Sequence, residues 1–219
     1  MTVIGDIEAG KLIEVIDTHQ QEEIISALEQ QPLEVREKIE EVSVDMWGGF
    51  PKVVEQVFPN AVVVIDRFHV MKAVNTELNK IRRQAGILDR GSKFILLKNG
   101  KDLTPKETEK LASLLQRSKR LEEAYLWKEE FRFIYEQSLT VEEGKRQIKK
   151  WLDKAQAVYC EAITTIRNHL DGIGNYFRNR TTSGVMEGIN NRIKLIKRQA
   201  YGFVNFENFR ERLLACFSN

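Results

Sequence analysis

Apolar and polar positions along the chain change period once. In the first seventy residues the apolar runs are short and rich in β-branched side chains. Residues 2–4 and 12–16 are two such runs, joined through Gly5, Asp6 and Gly10, which predicts a β-hairpin. Ile24, Ile25 and Leu28 fall at helical spacing, with Pro32 beyond the end of that helix. Residues 39–44 alternate apolar with polar and end on Asp45. A short helix over 50–58 follows, closed by Pro59-Asn60. Residues 61–65 are a continuous apolar run, as a strand buried on both faces requires, and they end on Asp66. Beyond residue 68 the strand signal gives way to amphipathic helices. Thr104-Pro105 with Glu107 is a helix start with an N-cap, a proline at the first position and an acid at the third. Residues 121–137 and 141–159 carry apolar side chains at i, i+3 and i+4. Ser183 is the predicted cap of a helix through Ile189, Ile193 and Ile196. Asn205 caps the last helix, with Phe206, Phe209, Leu213 and Phe217 on one stripe. The pattern predicts an α/β fold with a helical insertion or extension, divided near residue 85.

Composition narrows the class without naming a chemistry. The chain has 219 residues, 42% hydrophobic and 30% charged, with four prolines, which excludes a disordered chain. The longest apolar run, 61–65, is too short to cross a membrane, and no secretory leader is expected. Cys160 and Cys216 have neither metal-ligand spacing nor a disulfide framework, so a cytoplasmic setting is expected. The net charge of +2 says little, but its distribution says more. Between residues 178 and 198 stand Arg178, Arg180, Arg192, Lys194, Lys197 and Arg198, with Glu187 as the single acid. Phosphate contacts need such a cluster, although a solvated helix face produces the same pattern.

Candidate chemistry sits where strands end. Asp45 and Asp66 each close a predicted strand, at the edge of an α/β sheet where ligands bind. Carboxylates there can hold Mg²⁺ through oxygen; a single such aspartate more often starts a turn. In Asp66-Arg67-Phe68-His69 the acid and the imidazole lie one helical turn apart, so His69 can orient a carboxylate or meet a phosphate. His19 and His169 read as structural. Glu187 falls in the first turn of its helix, where the dipole alone favours an acid, but amides and cations follow it on the next turns.

Together these segments resemble a known family. Val44-Asp45-Met46, Phe58-Pro59-Asn60-Ala61 and Asp66-Arg67-Phe68-His69-Val70 resemble the DDE domain of insertion-sequence transposases of the ISL-three family, related to the Mutator-like transposases. The run from Ser183 through Met186-Glu187-Gly188-Ile189-Asn190-Asn191 and Lys197-Arg198 to Gly202-Phe203 resembles the same family's final motif. The resemblance covers nearly the whole chain, in order. It implies an RNase H-like core, a mixed sheet flanked by helices, interrupted by a large all-helical insertion. Residues 1–85 would form the first part of the core and 86–178 the insertion. Residues 179–219 would complete the core and carry the catalytic glutamate.

The same resemblance implies a metal-dependent DNA cleavage and strand-transfer site in which three acids hold two Mg²⁺ or Mn²⁺ ions. Asp45 would be the second acid and Glu187 the third. Asp66 and His69 would support the site, with Asp66 the alternative second acid. Arg192, Lys194, Lys197 and Arg198 would hold the DNA backbone. Trp127 and Trp151 would belong to the core of the insertion. The implied partner is DNA, as transposon ends and target, with no membrane; homo-oligomerisation is left open. The family's first acid belongs on an opening strand upstream of the hairpin, and this chain opens on the hairpin's second strand at Met1-Thr2-Val3-Ile4-Gly5-Asp6. The competing expectation is therefore a catalytically inactive remnant that at most binds DNA or oligomerises.

Overall fold

The computed structural model describes residues 1–200 and 202–217 and is mixed α/β, mostly helical with small sheets. It divides into two compact units, one built from Met1–Val63 with the described residues from 181 onward, the other from Val64–Arg180.

In the first unit the chain opens as a hairpin. Strands β1 (Thr2–Asp6) and β2 (Lys11–Ile16) run antiparallel, with Thr2 opposite Ile16, Asp6 opposite Lys11 and a register slip between Ile4 and Gly5. The turn is set locally: Asp6 Oδ1 accepts from the Ala9 N–H at 2.8 Å, and Gly10 takes the left-handed conformation at φ 67°. Helices α1 (Gln21–Leu28) and α2 (Leu33–Arg36) lead to β3 (Glu41–Val44), then α3 (Phe50–Val57) and β4 (Val62–Ile65), whose last two residues are counted with the second unit. The described strands pair as two two-stranded sheets, β1–β2 and β3–β4, rather than as one ladder. Ile24, Val53 and Val57 bury α1 against α3. Leu12 and Val15 of β2 pack against helices α11 (Gly184–Gln199) and α12 (Phe206–Phe217) through Ile189, Ile193, Ile196, Phe209, Leu213 and Phe217. Asn205 caps α12, its Oδ1 accepting from the Asn208 N–H at 3.2 Å. Arg210 of α12 grips Glu14 of β2 with two bonds, at 2.7 and 2.6 Å.

The second unit is helical: α4 (Arg67–Gln84), α5 (Ser92–Leu97), a 3₁₀ turn (Gly100–Asp102), α6 (Pro105–Leu115), α7 (Lys119–Gln137), α8 (Val141–Ala155), α9 (Glu161–Asn168) and α10 (Leu170–Asn179). Thr104 and Glu107 form the reciprocal capping box that their spacing predicts. The helix expected to run to residue 159 stops at Ala155. There the N–H groups of Val158 and Tyr159 both turn back to the Ala155 carbonyl, and α9 starts at Glu161 instead. The new start is held from α4: the buried Glu77 carboxylate accepts from the N–H groups of Cys160 at 2.6 Å, Glu161 at 3.3 Å and Ala162 at 2.8 Å. A charged acceptor for three orphan N–H groups is the strongest cap a helix can be given.

Aromatic rings fill the middle of this unit. Phe131, Tyr135, Trp151 and Tyr159 are fully buried, with Phe131 and Trp151 at 4.5 Å and Tyr135 stacked on Phe177 at 5.5 Å between ring centres. Burial of each such ring stabilises by roughly 2–3 kcal/mol. Trp151 Nε1 donates to the Trp127 carbonyl at 2.8 Å, so its one polar atom is satisfied. Gly144, inside α8, lies face to face with Phe177, and a Cβ there would stand inside the ring's contact radius. Lys128 is also fully buried. Its ammonium donates to the carbonyls of Leu96 and Lys98, both at 2.9 Å, and pairs with Glu129. Burial pulls its pKa below the usual lysine value against the opposing pull of Glu129.

Two outcomes follow for stability. Glu77→Ala leaves three buried or half-buried N–H groups without their acceptor and should lower the unfolding free energy by roughly 2–4 kcal/mol in urea titration, with Glu77→Gln losing less. Glu14 titrates low: burial works against its ionisation, but the bonds from Arg210 and from the Val15 N–H outweigh that and hold it below its ordinary 4.5. A depressed carboxyl stabilises the fold fully above the unfolded value and loses that contribution as pH falls through the folded one. The Glu14–Arg210 pair should therefore contribute about 1 kcal/mol at neutral pH, fading in acid below about pH 4.5. Unfolding curves of Glu14→Gln should lack that acid-side decline.

Candidate functional site

Asp45 leaves β3 at its carboxyl end, half-buried, and Oδ1 accepts from the Trp47 N–H at 2.8 Å. This is an Asx turn, the local fold that an aspartate after a strand favours. It aims the chain into Gly48-Gly49 and the start of α3. Trp47 closes over the turn, its ring edge-on to Phe50 at 4.8 Å and to His19 at 6.4 Å. His19 is itself held by Thr2 Oγ1 at 3.3 Å, the structural role expected of it.

Glu187 stands in the first turn of α11, in the same unit as Asp45. Two contacts fix where that helix begins. Thr181 Oγ1 donates to Glu41 of β3, tying the approach to α11 onto the strand that delivers Asp45. Met186 lies against Gly5 of β1, where any side chain would collide with its sulfur. Ser183 occupies the N-cap position, but its side chain makes no capping hydrogen bond. The Glu187 carboxylate is exposed and makes no hydrogen bond or ion pair among the described residues. In this it differs from Glu77 and Glu14, which are consumed by the fold.

The helix then sorts its faces. Ile189, Ile193 and Ile196 are buried, while Glu187, Asn191, Lys194 and Arg198 recur at i, i+4, i+7 and i+11 along the opposite, exposed face. Lys197 lies beside this stripe and is exposed as well. Lys194, Lys197 and Arg198 have no ion-pair partner among the described residues. Arg192 is different: it donates to the Cys216 carbonyl at 2.6 Å and lies 4.6 Å over the Phe217 ring, so it fastens α11 to α12. Two other members of the basic cluster part ways too. Arg180 ends α10 in the left-handed conformation at φ 56° and donates to the carbonyls of Tyr135 and Ser138. Arg178 is exposed.

Asp66 and His69 belong to the other unit. Asp66 is 2% exposed and is the N-cap of α4, with Oδ1 accepting from the Phe68 N–H. His69 is half-buried on the first turn of α4, its ring edge-on to Phe68 at 5.4 Å. Sequence spacing placed Asp66 and His69 one turn apart and so they are. It did not distinguish a capping carboxylate from an exposed one, because both follow a strand and precede a helix.

Asp45 and Glu187 offer the hard oxygen donors that Mg²⁺ or Mn²⁺ takes. Among the described residues, however, no three His, Cys, Asp or Glu side chains converge as a metal-binding group. The donor type fits such an ion; the donor number does not complete a two-ion site. Nor is any described helix long and apolar enough to cross a membrane.

The chain is 26% identical over 238 residues to the transposase for insertion sequence element IS1557 of Mycobacterium tuberculosis, a match covering 93% of this chain and 53% of that protein. It is 26% identical over 233 residues to the transposase for insertion sequence element IS1001 of Bordetella parapertussis, covering 99% of this chain and 57% of that one. The chain thus spans about half the length of the curated relatives it matches. No solved structure matches. The family DDE_Tnp_ISL3, described as Transposase, matches residues 1–213, and the chain belongs to this ISL3 family of transposases.

Proposed function

We propose that the chain is the catalytic part of an insertion-sequence transposase, acting in metal-dependent DNA cleavage and strand transfer. The observation that carries this reading is the family match over residues 1–213, together with one unit that holds both a strand-end Asp45 and an unspent Glu187 at the head of a cationic helix face. On this reading residues 1–85 and 179–219 are the RNase H-like part and residues 86–178 the helical insertion. Asp45 and Glu187 bind the ions, and Asp66 and His69 keep a supporting role. Asp45 is only half-buried whereas Asp66 is buried as a helix cap, which supports Asp45 as the second acid. Lys194, Lys197 and Arg198 hold the phosphate backbone of transposon ends and target, each by charge and so without sequence preference. Arg192 serves the same surface by fixing the helix that presents it.

Two carboxylates do not close a two-ion site, and among the described residues no third acid converges with them. Ion-dependent cleavage therefore belongs to the intact active site, where the two ions would stabilise the attacking and leaving oxygens. The same observation supports a second reading, a catalytically inactive remnant that at most binds DNA or oligomerises.

Incubation with duplex DNA carrying an element end, with Mg²⁺ or Mn²⁺, separates the two. Cleavage that falls at least a hundredfold in Glu187→Gln and in Asp45→Asn supports the enzyme. Cleavage indifferent to both substitutions overturns the assigned site, and salt-sensitive duplex binding without any cleavage supports the remnant. Lys194→Gln should weaken duplex binding whatever its sequence and reduce the slope of log affinity against log salt by about one.

A further inference from the structure

The helical unit has an open groove of about 420 Å³ between α4 and α5 that none of the roles above uses. Its lining combines features that serve no packing purpose together. Met71 and Leu97 give it an apolar floor, and Phe68, at its edge, leaves 54% of its surface in solvent. Lys72 rises on the α4 side and Lys93 on the α5 side, both exposed, and none of the lining residues is acidic. Asn75 also lines the groove, and its Oδ1, shut off from solvent, has no hydrogen-bond partner among the described residues. An amide oxygen shut away from water and left unbonded costs roughly 1–3 kcal/mol.

The walls are also held in place. Arg82, nearly buried, donates from Nη1 to the Ile87 carbonyl and to Ser92 Oγ, which fixes the turn that brings α5 back against α4. Its Nε donates to Asn79 Oδ1 at 2.9 Å, leaving the Asn79 NH₂ group as the free end of a second lining amide. An exposed ring, two amides and a cation on each wall are the parts of a site for one unstacked nucleotide: a π-face for the base, donors and acceptors for its edge, and charge for the flanking phosphates. A duplex keeps its base faces stacked and offers none of them to Phe68.

We propose that the α4–α5 groove binds single-stranded DNA, with a base against Phe68 and its neighbouring phosphates on Lys72 and Lys93. The proposal rests on the reading that DNA is this protein's substrate, but it concerns a different unit from Asp45 and Glu187 and needs no metal ion. An acidic protein segment is the competing occupant, since it would also satisfy the two lysines.

The test is fluorescence anisotropy of the 219-residue chain in EDTA, with a labelled ten-nucleotide single strand and a labelled duplex of the same sequence. Phe68 is exposed, so Phe68→Ala should keep the helical circular dichroism of the parent chain. It should weaken single-strand binding about tenfold and leave duplex binding within twofold. The double variant Lys72→Gln with Lys93→Gln should flatten the salt dependence of single-strand binding. Single-strand binding unchanged in both variants overturns the groove site, and an acidic peptide that binds in a Lys72- and Lys93-dependent manner then identifies the other occupant. Duplex binding that persists in that case leaves the transposase reading standing. Absence of binding to either DNA overturns both.

Discussion

Burial of one isoleucine stripe governs what the first unit can do. Once Ile189, Ile193 and Ile196 are committed to the hairpin and α12, the rotation of α11 is fixed, and with it the residues that meet solvent. Three side chains of that size bury on the order of 6 kcal/mol of transfer free energy, far more than the cost of exposing a few charges. The helix can therefore leave Glu187 unpaired and crowd Lys194, Lys197 and Arg198 together without losing its place. Arg192 strengthens the same arrangement, since its guanidinium donates to the Cys216 carbonyl and lies over the Phe217 ring. Functional charge is displayed here because apolar contact alone is enough to hold the helix that carries it.

The helical unit uses charge the opposite way. Glu77 and Lys128 are ionisable groups placed where water does not reach, and each is surrounded by backbone partners: three N–H groups for the carboxylate, two carbonyls for the ammonium. Neither group adds solubility or binding surface. Each joins segments distant in sequence, α4 to α9 and α7 to α5, by satisfying backbone groups that helix ends would otherwise leave open. Such bonds specify an arrangement more sharply than apolar contact does, because an alternative packing would strand the charge.

Periodic features were legible in the sequence. The hairpin, the strand ending on Asp45, the Thr104 capping box and the Phe209–Leu213–Phe217 stripe all depend on neighbours within a few positions, and local pattern reports them faithfully. What escaped was set at long range. Nothing in residues 141–159 marks the break after Ala155, because the acceptor that starts α9 is Glu77, more than eighty positions upstream. Arg180 reads as a member of the basic cluster by composition, yet it donates to the Tyr135 and Ser138 carbonyls, and Arg192 makes a bond to the Cys216 carbonyl that its spacing does not announce. Asp45 and Asp66 look alike as strand-end aspartates and differ in burial, which only the packed chain decides.

The discontinuity of the first unit has a consequence for how the chain is made. Leu12 and Val15 are synthesised early, but the helices that cover them lie beyond the whole of residues 64–180. Until α11 and α12 emerge, the hairpin carries an apolar face with nothing to bury it, and closing so long a loop in a disordered chain is entropically costly. A helical unit rich in contacts within its own span can order first and replace that flexible loop with a folded body. The hairpin's completion would then wait on the translation of α11 and α12, whose arrival covers Leu12 and Val15.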